Sequence, residues 1–479
     1  MALKKEENKK KGTEFEKEYA KLNPEQKKAV DHIYGPVMVI AGPGTGKTTV
    51  LTLRIANIIN NGVSAQNILA LTFTESAAAN IREKLLELVG SEGYYVNINT
   101  FHGFANGLIQ DYPQYFQRII EAENATDAKQ IAILRKIIDK GDFKKLKPMG
   151  KKYAYISDIK KAISDLKNEK YSPENFVQLL EKKRGEVYNA EDLYNGSGKY
   201  KGQMKSKYVI ELERLERNKE LAVLYKEYED ELHKENLYDY SDMILEAIKS
   251  LEENKAFLAE VQEMCRWVLV DEHQDTNRSQ NALVELVSGF NDPPNIFAVG
   301  DEKQAIFRFQ GASLENFSRF SDEFKNTESI TLERNYRSTQ PILDSAHSLI
   351  KNNRANISEK NLKAESNEAG EKIKIAVFDS AEAETAFVVG EAERLMKEGV
   401  KPKEIAVIYR ENKDAGEFMR AFRRRGVPAV VRSDENILKD EKNTEAYRSF
   451  PGRGVFWRRP ASYKGSSFEF SRNRSAGRL

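Results

Sequence analysis

Cysteine is almost absent from this chain, since Cys265 is the only one among 479 residues. A lone cysteine has no partner for an intrachain disulfide, which excludes a disulfide-rich secreted scaffold and suits a reducing compartment. Cys265 also lies beside an apolar run, so we expect it to act as a small buried hydrophobic side chain.

Long apolar runs are absent as well. No segment approaches the roughly 18 apolar residues that a membrane span requires. Residues 1–20 carry several lysines but no apolar stretch behind them, so they do not resemble a secretory signal. We therefore expect a soluble, cytoplasmic protein that does not engage a membrane.

The chain also lacks a large excess of either charge. It has 76 Lys plus Arg against 74 Asp plus Glu, so its bulk attraction to a polyanion is weak and any nucleic-acid site must be a local groove. Apolar residues make up 40% and charged residues 31%, which excludes a mainly disordered or fibrous chain. Because domains usually hold about 100–200 residues, the length predicts about three structural units.

Short apolar runs alternate with segments of helical periodicity. A fully apolar run of this length is typical of a strand that is buried on both faces of a parallel sheet. The predicted fold class is therefore α/β, with strands in residues 37–40 (VMVI), 68–73 (ILALTF), 267–270 (WVLV) and 296–299 (IFAV).

The region between the second and third runs has a lysine-rich, helical pattern and is predicted to be an insertion in the first core. Its lysines are as consistent with a solvated face as with a face that contacts DNA. Strand-like segments at 373–378 and 405–409 indicate a second α/β core. The predicted division is a polar leader (1–21), a first core (22–112 and 216–330), the helical insertion (113–215), a partial second core (331–447) and a basic tail foreign to the fold (448–479).

A glycine-rich segment, AGPGTGKTT, follows the first apolar run and opens a helical pattern. A strand, a glycine-rich loop and a helix in this order are the context of a phosphate-binding P-loop. The backbone N–H groups of such a loop and the N-terminus of its helix attract phosphate oxygens. Lys47 is the expected phosphate-neutralising cation, and the predicted nucleotide-binding residues are Ala41, Gly42, Pro43, Gly44, Thr45, Gly46, Lys47, Thr48 and Thr49.

Hydrolysis further requires a metal ligand and a group that activates water. Asp271 and Glu272 directly follow the third apolar run. At the carboxyl end of a strand, Asp271 can bind Mg²⁺ together with the Thr48 hydroxyl, and Glu272 can polarise the attacking water. An acidic pair in this position is by itself often a solvated turn, but the P-loop favours the catalytic interpretation. ATP and Mg²⁺ are the predicted cofactors.

The acidic segment DEHQDTN resembles the corresponding motif of the UvrD/Rep/PcrA group of superfamily 1 DNA helicases. The resemblance covers residues 22–440 and implies a RecA-like P-loop NTPase core with an incomplete second RecA-like core. It depends on segments that occur in the family's order: 22–30 (LNPEQKKAV), 72–78 (TFTESAA), 99–104 (NTFHGF), 237–244 (LYDYSDMI), 271–277 (DEHQDTN), 299–312 (VGDEKQAIFRFQGA), 332–338 (LERNYRS) and 405–431.

The resemblance implies roles for further residues around the nucleotide. Gln26 would bind the adenine edge, since an amide both donates and accepts hydrogen bonds, and Tyr336 would stack on the same base. Gln304 would sense the γ-phosphate. Arg337 would act as an arginine finger, which contributes about 10³–10⁵ in rate. The predicted catalytic residues are Lys47, Glu272, Gln304 and Arg337.

The resemblance also implies a DNA-binding surface, which is formed by aromatic side chains among short polar residues. Stacking a base on an aromatic ring tolerates any sequence, which suits movement along single-stranded DNA. Phe73 and Phe101 are equally consistent with core positions, whereas the motif context of His102 and Phe309 favours DNA contact. The predicted DNA-binding residues are Thr72, Phe73, Thr100, Phe101, His102, Phe307 and Phe309.

Some positions depart from the family pattern. Glu75 and Ser76 stand where relatives usually have Asn and Lys, and Phe307 and Gln310 stand where they usually have Tyr and Arg. Segments that resemble the family's motifs V and VI are not found. Two interpretations follow: an ATP-driven 3′-to-5′ helicase, or a non-catalytic ATP- and DNA-binding remnant of one. The expected partners are single-stranded and tailed duplex DNA, in repair, replication or recombination, and the expected state is a monomer or weak dimer.

Overall fold

The structure is a computed structural model that describes residues 14–197, 200–304, 316–352, 361–411 and 414–431. Its strands are β1 (Val37–Ala41), β2 (Ile68–Thr72), β3 (Asn97–Thr100), β4 (Glu123–Asn124), β5 (Leu237–Tyr238), β6 (Trp267–Val270), β7 (Ile296–Gly300), β8 (Glu328–Leu332), β9 (Arg334–Asn335) and β10 (Lys363–Ala364). Six of them form one sheet in the order β3-β2-β6-β7-β1-β8. Every neighbouring pair in that sheet is parallel.

The sheet is covered on both faces, as its apolar strands predict. Along β1, Val37 and Val39 pack into the core on one face of the sheet, while Met38 packs into the core on the other. Both environments exclude water, so every position of the run is apolar. The four predicted strands are confirmed. β3 and β8 were not predicted, because their sequences, NINT and ESITL, mix polar residues with the buried ones.

Helices connect the parallel strands and supply the two covering layers. Polar N-caps start several of them: the Thr100 side chain, for example, accepts a hydrogen bond from Gly103 N. The helices of this core are Pro24–Asp31, Lys47–Asn60, Glu75–Val89, Phe101–Asp111, Asp242–Glu253, Lys255–Met264, Arg278–Val287, Asn316–Glu323 and Gln340–Ile350. Short 3₁₀ turns lie at Ala65–Asn67, Gly90–Tyr95, Pro113–Tyr115, His273–Asp275 and Glu302–Gln304.

The insertion is helical, as predicted. Its helices enclose two apolar clusters of their own, and the short parallel pair of β4 and β5 joins the beginning and end of the insertion. The predicted boundary at residue 215 falls inside a helix of 29 residues, because Leu215 packs into one of these clusters and Leu232, more than four turns later, packs into the other. The helices are Asp127–Lys140, Ile156–Asn168, Pro173–Tyr188 and Ser206–Lys234.

The described residues group into two compact units that divide between residues 372 and 373. The predicted second core began at residue 331, but β8 pairs with β1 and so belongs to the first sheet. In the second unit, helices Ala381–Lys397 and Ala415–Arg424 pack around Val389 and Phe422, and a 3₁₀ turn spans Pro402–Glu404.

The strands predicted at 373–378 and 405–409 are not formed in the structure, where both segments lack a β-ladder. A strand needs a neighbouring backbone at its hydrogen-bonding edge, and the described residues of this unit supply none. The predicted tail, 448–479, lies outside the described residues. Among the helices that the structure describes, none has the length and apolar character to cross a bilayer.

We predict that Phe257→Ala strongly destabilises the first unit. Phe257 is fully buried against the rings of Tyr112, Tyr115 and Phe116, whose centroids lie 4.4–5.8 Å away. Removing a buried phenyl ring costs about 3–5 kcal/mol in free energy of unfolding. Urea denaturation measures this loss. Phe290→Ala is the control: this ring is 40% exposed, and its removal should cost about 1 kcal/mol or less. Equal losses in the two variants would contradict the described core.

Candidate nucleotide and nucleic-acid site

The P-loop leaves the carboxyl end of β1 at the buried residue Ala41 and enters helix Lys47–Asn60. Gly44 and Gly46 have φ angles of +71° and +91°, a region that disfavours residues with a Cβ atom. A Cβ at Gly44 would also lie 2.6 Å from the Cβ atom of Arg337. The Thr45 hydroxyl donates to Gly42 O at 2.8 Å and closes the loop. The loop therefore has the curled backbone that a phosphate cradle requires.

The predicted phosphate-neutralising lysine and the predicted water-activating glutamate are in direct contact. Lys47 Nζ lies 2.7 Å from Glu272 Oε2, at the point where β6 ends. Glu272 itself has φ 49° and ψ 45°, a left-handed conformation that costs a non-glycine residue about 1 kcal/mol or more. The structure thus brings Lys47 and Glu272 together and holds the Glu272 backbone in a strained turn.

Asp271 is 5% exposed at the end of β6. Burial and the neighbouring Glu272 raise the pKa of Asp271 to about 6, against the opposing effect of Lys47. A nearby cation stabilises the charged form of such a buried carboxylate. Together with the hydroxyl of Thr48, in the first turn of the P-loop helix, Asp271 supplies the hard oxygen donors that Mg²⁺ prefers. The residues present therefore fit the predicted magnesium ion.

Gln274 connects the acidic turn to the next strand, a role that the sequence analysis missed. Its Nε2 donates to Glu272 Oε2 at 2.8 Å, and its Oε1 accepts from Asp301 N at 2.9 Å. Asp301 in turn accepts from Gln304 Nε2 at 2.8 Å. Gln304, the predicted γ-phosphate sensor, is thus tied to Glu272 through two residues. The signal for Gln274 was its position two residues after Glu272.

The predicted adenine side has a different arrangement from the one expected. Gln26 is buried: its Nε2 donates to Thr45 O at 2.8 Å and its Oε1 accepts from Asn23 N at 3.1 Å. These bonds make Gln26 part of a helix capping box and tie it to the P-loop. Asn23 Nδ2 donates to the hydroxyl of Tyr336 at 3.0 Å. The amide of Gln26 therefore positions the P-loop, and its contact with adenine stays a prediction.

Tyr336 and Arg337 follow β9 and lie over the P-loop. Tyr336 N donates to Gly44 O at 2.8 Å, and the Asn335 side chain donates to Pro43 O. Both Tyr336 and Arg337 are exposed. The segment that the sequence assigned to the base and to the arginine finger is therefore in contact with the phosphate loop.

The predicted DNA-binding threonines end the two strands on the far side of β6. Thr72 closes β2 and is buried, and its hydroxyl has no hydrogen-bond partner among the described residues. Thr100 closes β3, accepts from Gly103 N and donates to Glu75 Oε1 at 2.9 Å. Glu75 thus neighbours the threonine that was expected to hold a phosphate.

Phe101, one of the predicted DNA contacts, faces the interior of the first unit. Its side chain is 2% exposed and belongs to the core of the first unit, so neither face of its ring can accept a base. The helix buries Phe101, Phe104, Ala105 and Leu108, which is the i, i+3, i+4, i+7 pattern of an apolar face. Phe73 is half-buried. Phe307 and Phe309 lie outside the described residues.

His102 points away from that apolar face and stacks on Tyr240. The two ring centroids are 3.8 Å apart with an interplanar angle of 21°. Tyr240 is 56% exposed, so one side of this stack is open. Burial lowers the pKa of His102 to about 4, which keeps the imidazole neutral near pH 7. Tyr240 lies in the 237–244 motif but was not predicted as a site residue.

Comparison with known proteins gives two adjoining family matches. Residues 22–325 match the UvrD/REP helicase N-terminal domain, and residues 330–443 match the UvrD-like helicase C-terminal domain. This chain belongs to the UvrD/REP helicase family. The fold of its first unit is accordingly the RecA-like core with a parallel central sheet.

Two relatives of this UvrD/REP helicase-family chain illustrate the match. A probable DNA helicase II homolog from Rickettsia conorii is 34% identical over 412 residues, which cover 86% of this chain and 57% of the relative. The ATP-dependent DNA helicase PcrA of Staphylococcus epidermidis is 30% identical over 415 residues, which cover 86% and 50%. The chain therefore spans about half the length of the curated relatives it matches.

The low pKa of His102 generates a prediction about this UvrD-family chain. Between pH 6.5 and pH 4 the unfolded chain protonates His102 while the folded chain does not, since the folded pKa is about 4. Stability is therefore lost as the pH falls through this window, by up to about 1.4 kcal/mol per pH unit. His102→Phe removes the titration and keeps a ring against Tyr240. As the pH is lowered from 6.5 to 4, the urea concentration at the midpoint of unfolding should decrease less for His102→Phe than for the parent chain. Parallel profiles would contradict a neutral, buried His102.

Proposed function

We propose that this chain is the ATP-hydrolysing and single-strand-binding part of a DNA helicase that moves 3′ to 5′. The observation that supports the proposal is that two sets of predicted site residues lie at the same edge of the sheet. Lys47, Asp271 and Glu272 lie at the ends of β1 and β6, and Thr72 and Thr100 lie at the ends of β2 and β3. The polarity is the one implied by the family resemblance.

The contacts support an order of roles in ATP hydrolysis. The phosphates of ATP would compete with Glu272 for the Lys47 ammonium, because both are anions at the same cation. Release from Lys47 would leave the Glu272 carboxylate able to accept the proton of the attacking water. Mg²⁺, held by Thr48 and Asp271, would neutralise charge on the phosphates. Arg337 would approach the γ-phosphate as the finger.

The hydrogen bonds of Gln274 support a connection between the hydrolytic turn and Gln304. A change in the position of Glu272 would shift the Gln274 amide, which also accepts a hydrogen bond from Asp301 N. Asp301 holds Gln304 in turn. This series of bonds would report the presence of the γ-phosphate to the segment that follows β7, which contains the predicted DNA contacts Phe307 and Phe309.

On the nucleic-acid side, the stack of His102 and Tyr240 is the feature that best fits a single strand. An exposed aromatic ring binds any base, at about 1–3 kcal/mol per stacked base. We propose single-stranded and tailed duplex DNA as substrates, in repair, replication or recombination, and the cytoplasm as the compartment. The second candidate function is ATP and DNA binding without turnover. The glutamine at position 310, where relatives usually have arginine, favours it, since this difference removes a charge that the family uses to link nucleotide to DNA.

Two substitutions separate the roles of the charged pair. Lys47→Ala removes the P-loop cation and should abolish hydrolysis with a loss of ATP affinity. Glu272→Gln removes the water-activating carboxylate and frees Lys47 from its ion pair, so it should bind ATP as well as the parent or better while turnover stops. Fluorescent-nucleotide titration and phosphate release measure both quantities. The assigned roles fail if the two variants lose ATP affinity to the same extent.

Tyr240→Ala should weaken single-strand binding. Loss of one stacking ring costs about 1–3 kcal/mol, while the salt dependence of about −0.7 per phosphate contact should stay the same. Titration of labelled oligothymidylate at several salt concentrations measures both. Tyr94→Ala is the matched control. Tyr94 is 65% exposed and precedes the amino end of β3, whereas the predicted DNA-binding residue Thr100 is at the carboxyl end of that strand. Equal effects of the two substitutions would remove Tyr240 from the site.

A further inference from the structure

A buried lysine lies where the helical insertion meets the first core. Lys167, near the end of helix Ile156–Asn168, has no exposed side-chain surface. Its Nζ lies 2.6 Å from Glu229 Oε1, 2.7 Å from Asp239 Oδ2 and 2.7 Å from Asp242 Oδ1. Burial alone would lower the pKa of Lys167, but these carboxylates more than offset that effect and hold it well above the usual value. The ammonium is therefore charged inside the fold.

The carboxylates of Asp239 and Asp242 shape the four-residue segment 239–242. Asp239 Oδ1 accepts from the backbone N–H groups of Ser241 and Asp242, and Asp242 Oδ2 accepts from Asp239 N at 2.9 Å. Each aspartate thus uses one oxygen for the turn and the other for Lys167. The conformation of the segment and the position of the insertion are set by the same two side chains.

Tyr240 lies between these two anchored aspartates. Both aspartates are buried, whereas the Tyr240 ring is exposed and stacks on His102. Ser241 adds a second link to the insertion, because its hydroxyl lies 3.3 Å from that of Ser164 on the same helix as Lys167. The insertion therefore holds both sides of the residue that carries the exposed ring.

We infer that Lys167 is a positioning residue that couples the helical insertion to the nucleic-acid face by fixing segment 239–242 and, with it, the ring of Tyr240. The inference rests on the proposed single-strand binding and adds a residue to it that touches neither DNA nor nucleotide. Removing one partner of a buried ion pair also destabilises the fold, so the test of Lys167 needs a readout of orientation that is separate from stability.

The test compares Lys167→Met with Lys160→Met in the full chain. Lys160 is on the same helix and forms an ion pair with Asp127 at the surface, so its loss removes a charge without touching segment 239–242. Lys167→Met should weaken binding of oligothymidylate about 5- to 160-fold, the range of one lost stack, and leave ATP affinity within about twofold. Lys160→Met should leave both unchanged.

A double-substitution cycle shows whether Lys167 acts through Tyr240. In a chain that carries Tyr240→Ala, adding Lys167→Met should weaken binding no further. A purely structural role would instead give additive losses. An unchanged affinity of Lys167→Met for oligothymidylate, or additive losses in the cycle, would overturn the inference.

Hydrogen exchange of segment 239–242 supplies a readout that needs no DNA. Lys167→Met should speed exchange there and leave the P-loop helix unchanged, and unchanged exchange would overturn the inference. If the parent chain fails to bind oligothymidylate, the proposed function fails and exchange alone decides the role of Lys167. If Lys167→Met loses ATP affinity through unfolding, Asp239→Asn, which removes one partner and keeps the ammonium paired, is judged by the same criteria.

Discussion

The strands of the central sheet all run in the same direction, and the rest of the site depends on this constraint. In a parallel sheet every carboxyl end lies at one edge. The order β3-β2-β6-β7-β1 then places the predicted nucleotide-binding residues after β6, β7 and β1, and the predicted DNA-binding threonines after β3 and β2. The two sets meet where Asp271 N donates to Leu71 O at 2.9 Å. The order of the β-strands therefore brings the predicted phosphate-binding residues close to the predicted DNA-binding residues.

Partly and fully buried charges hold the loops at this edge. Lys47 contacts Glu272 beside the phosphate loop, and Lys167 contacts Asp239 and Asp242 beside the exposed ring of Tyr240. In both places the ion pair joins elements that are distant in sequence. Removing either lysine leaves carboxylates without their cation, which is costly. The geometry of the two sites is thus set by charge pairing in addition to apolar packing.

Much of this site is predictable from sequence because local patterns determine it. The P-loop and the acidic pair after β6 each follow an apolar strand, and the structure has both where the patterns indicate them. Tertiary contacts determine the rest. Phe101 belongs to an aromatic-rich motif, yet the helical spacing of its apolar neighbours buries it. Tyr240 is exposed because Lys167, 73 residues earlier in the sequence, anchors the aspartates on either side, and no local pattern shows that contact.

We propose that one edge of the sheet couples ATP hydrolysis to the binding of a single strand of DNA. The most direct test is the rate of phosphate release from ATP, measured with and without oligothymidylate at constant salt. The account predicts that the single strand raises turnover and that a duplex of the same length without a tail raises it less. Turnover that is absent, or that is the same with and without the single strand, would contradict the account.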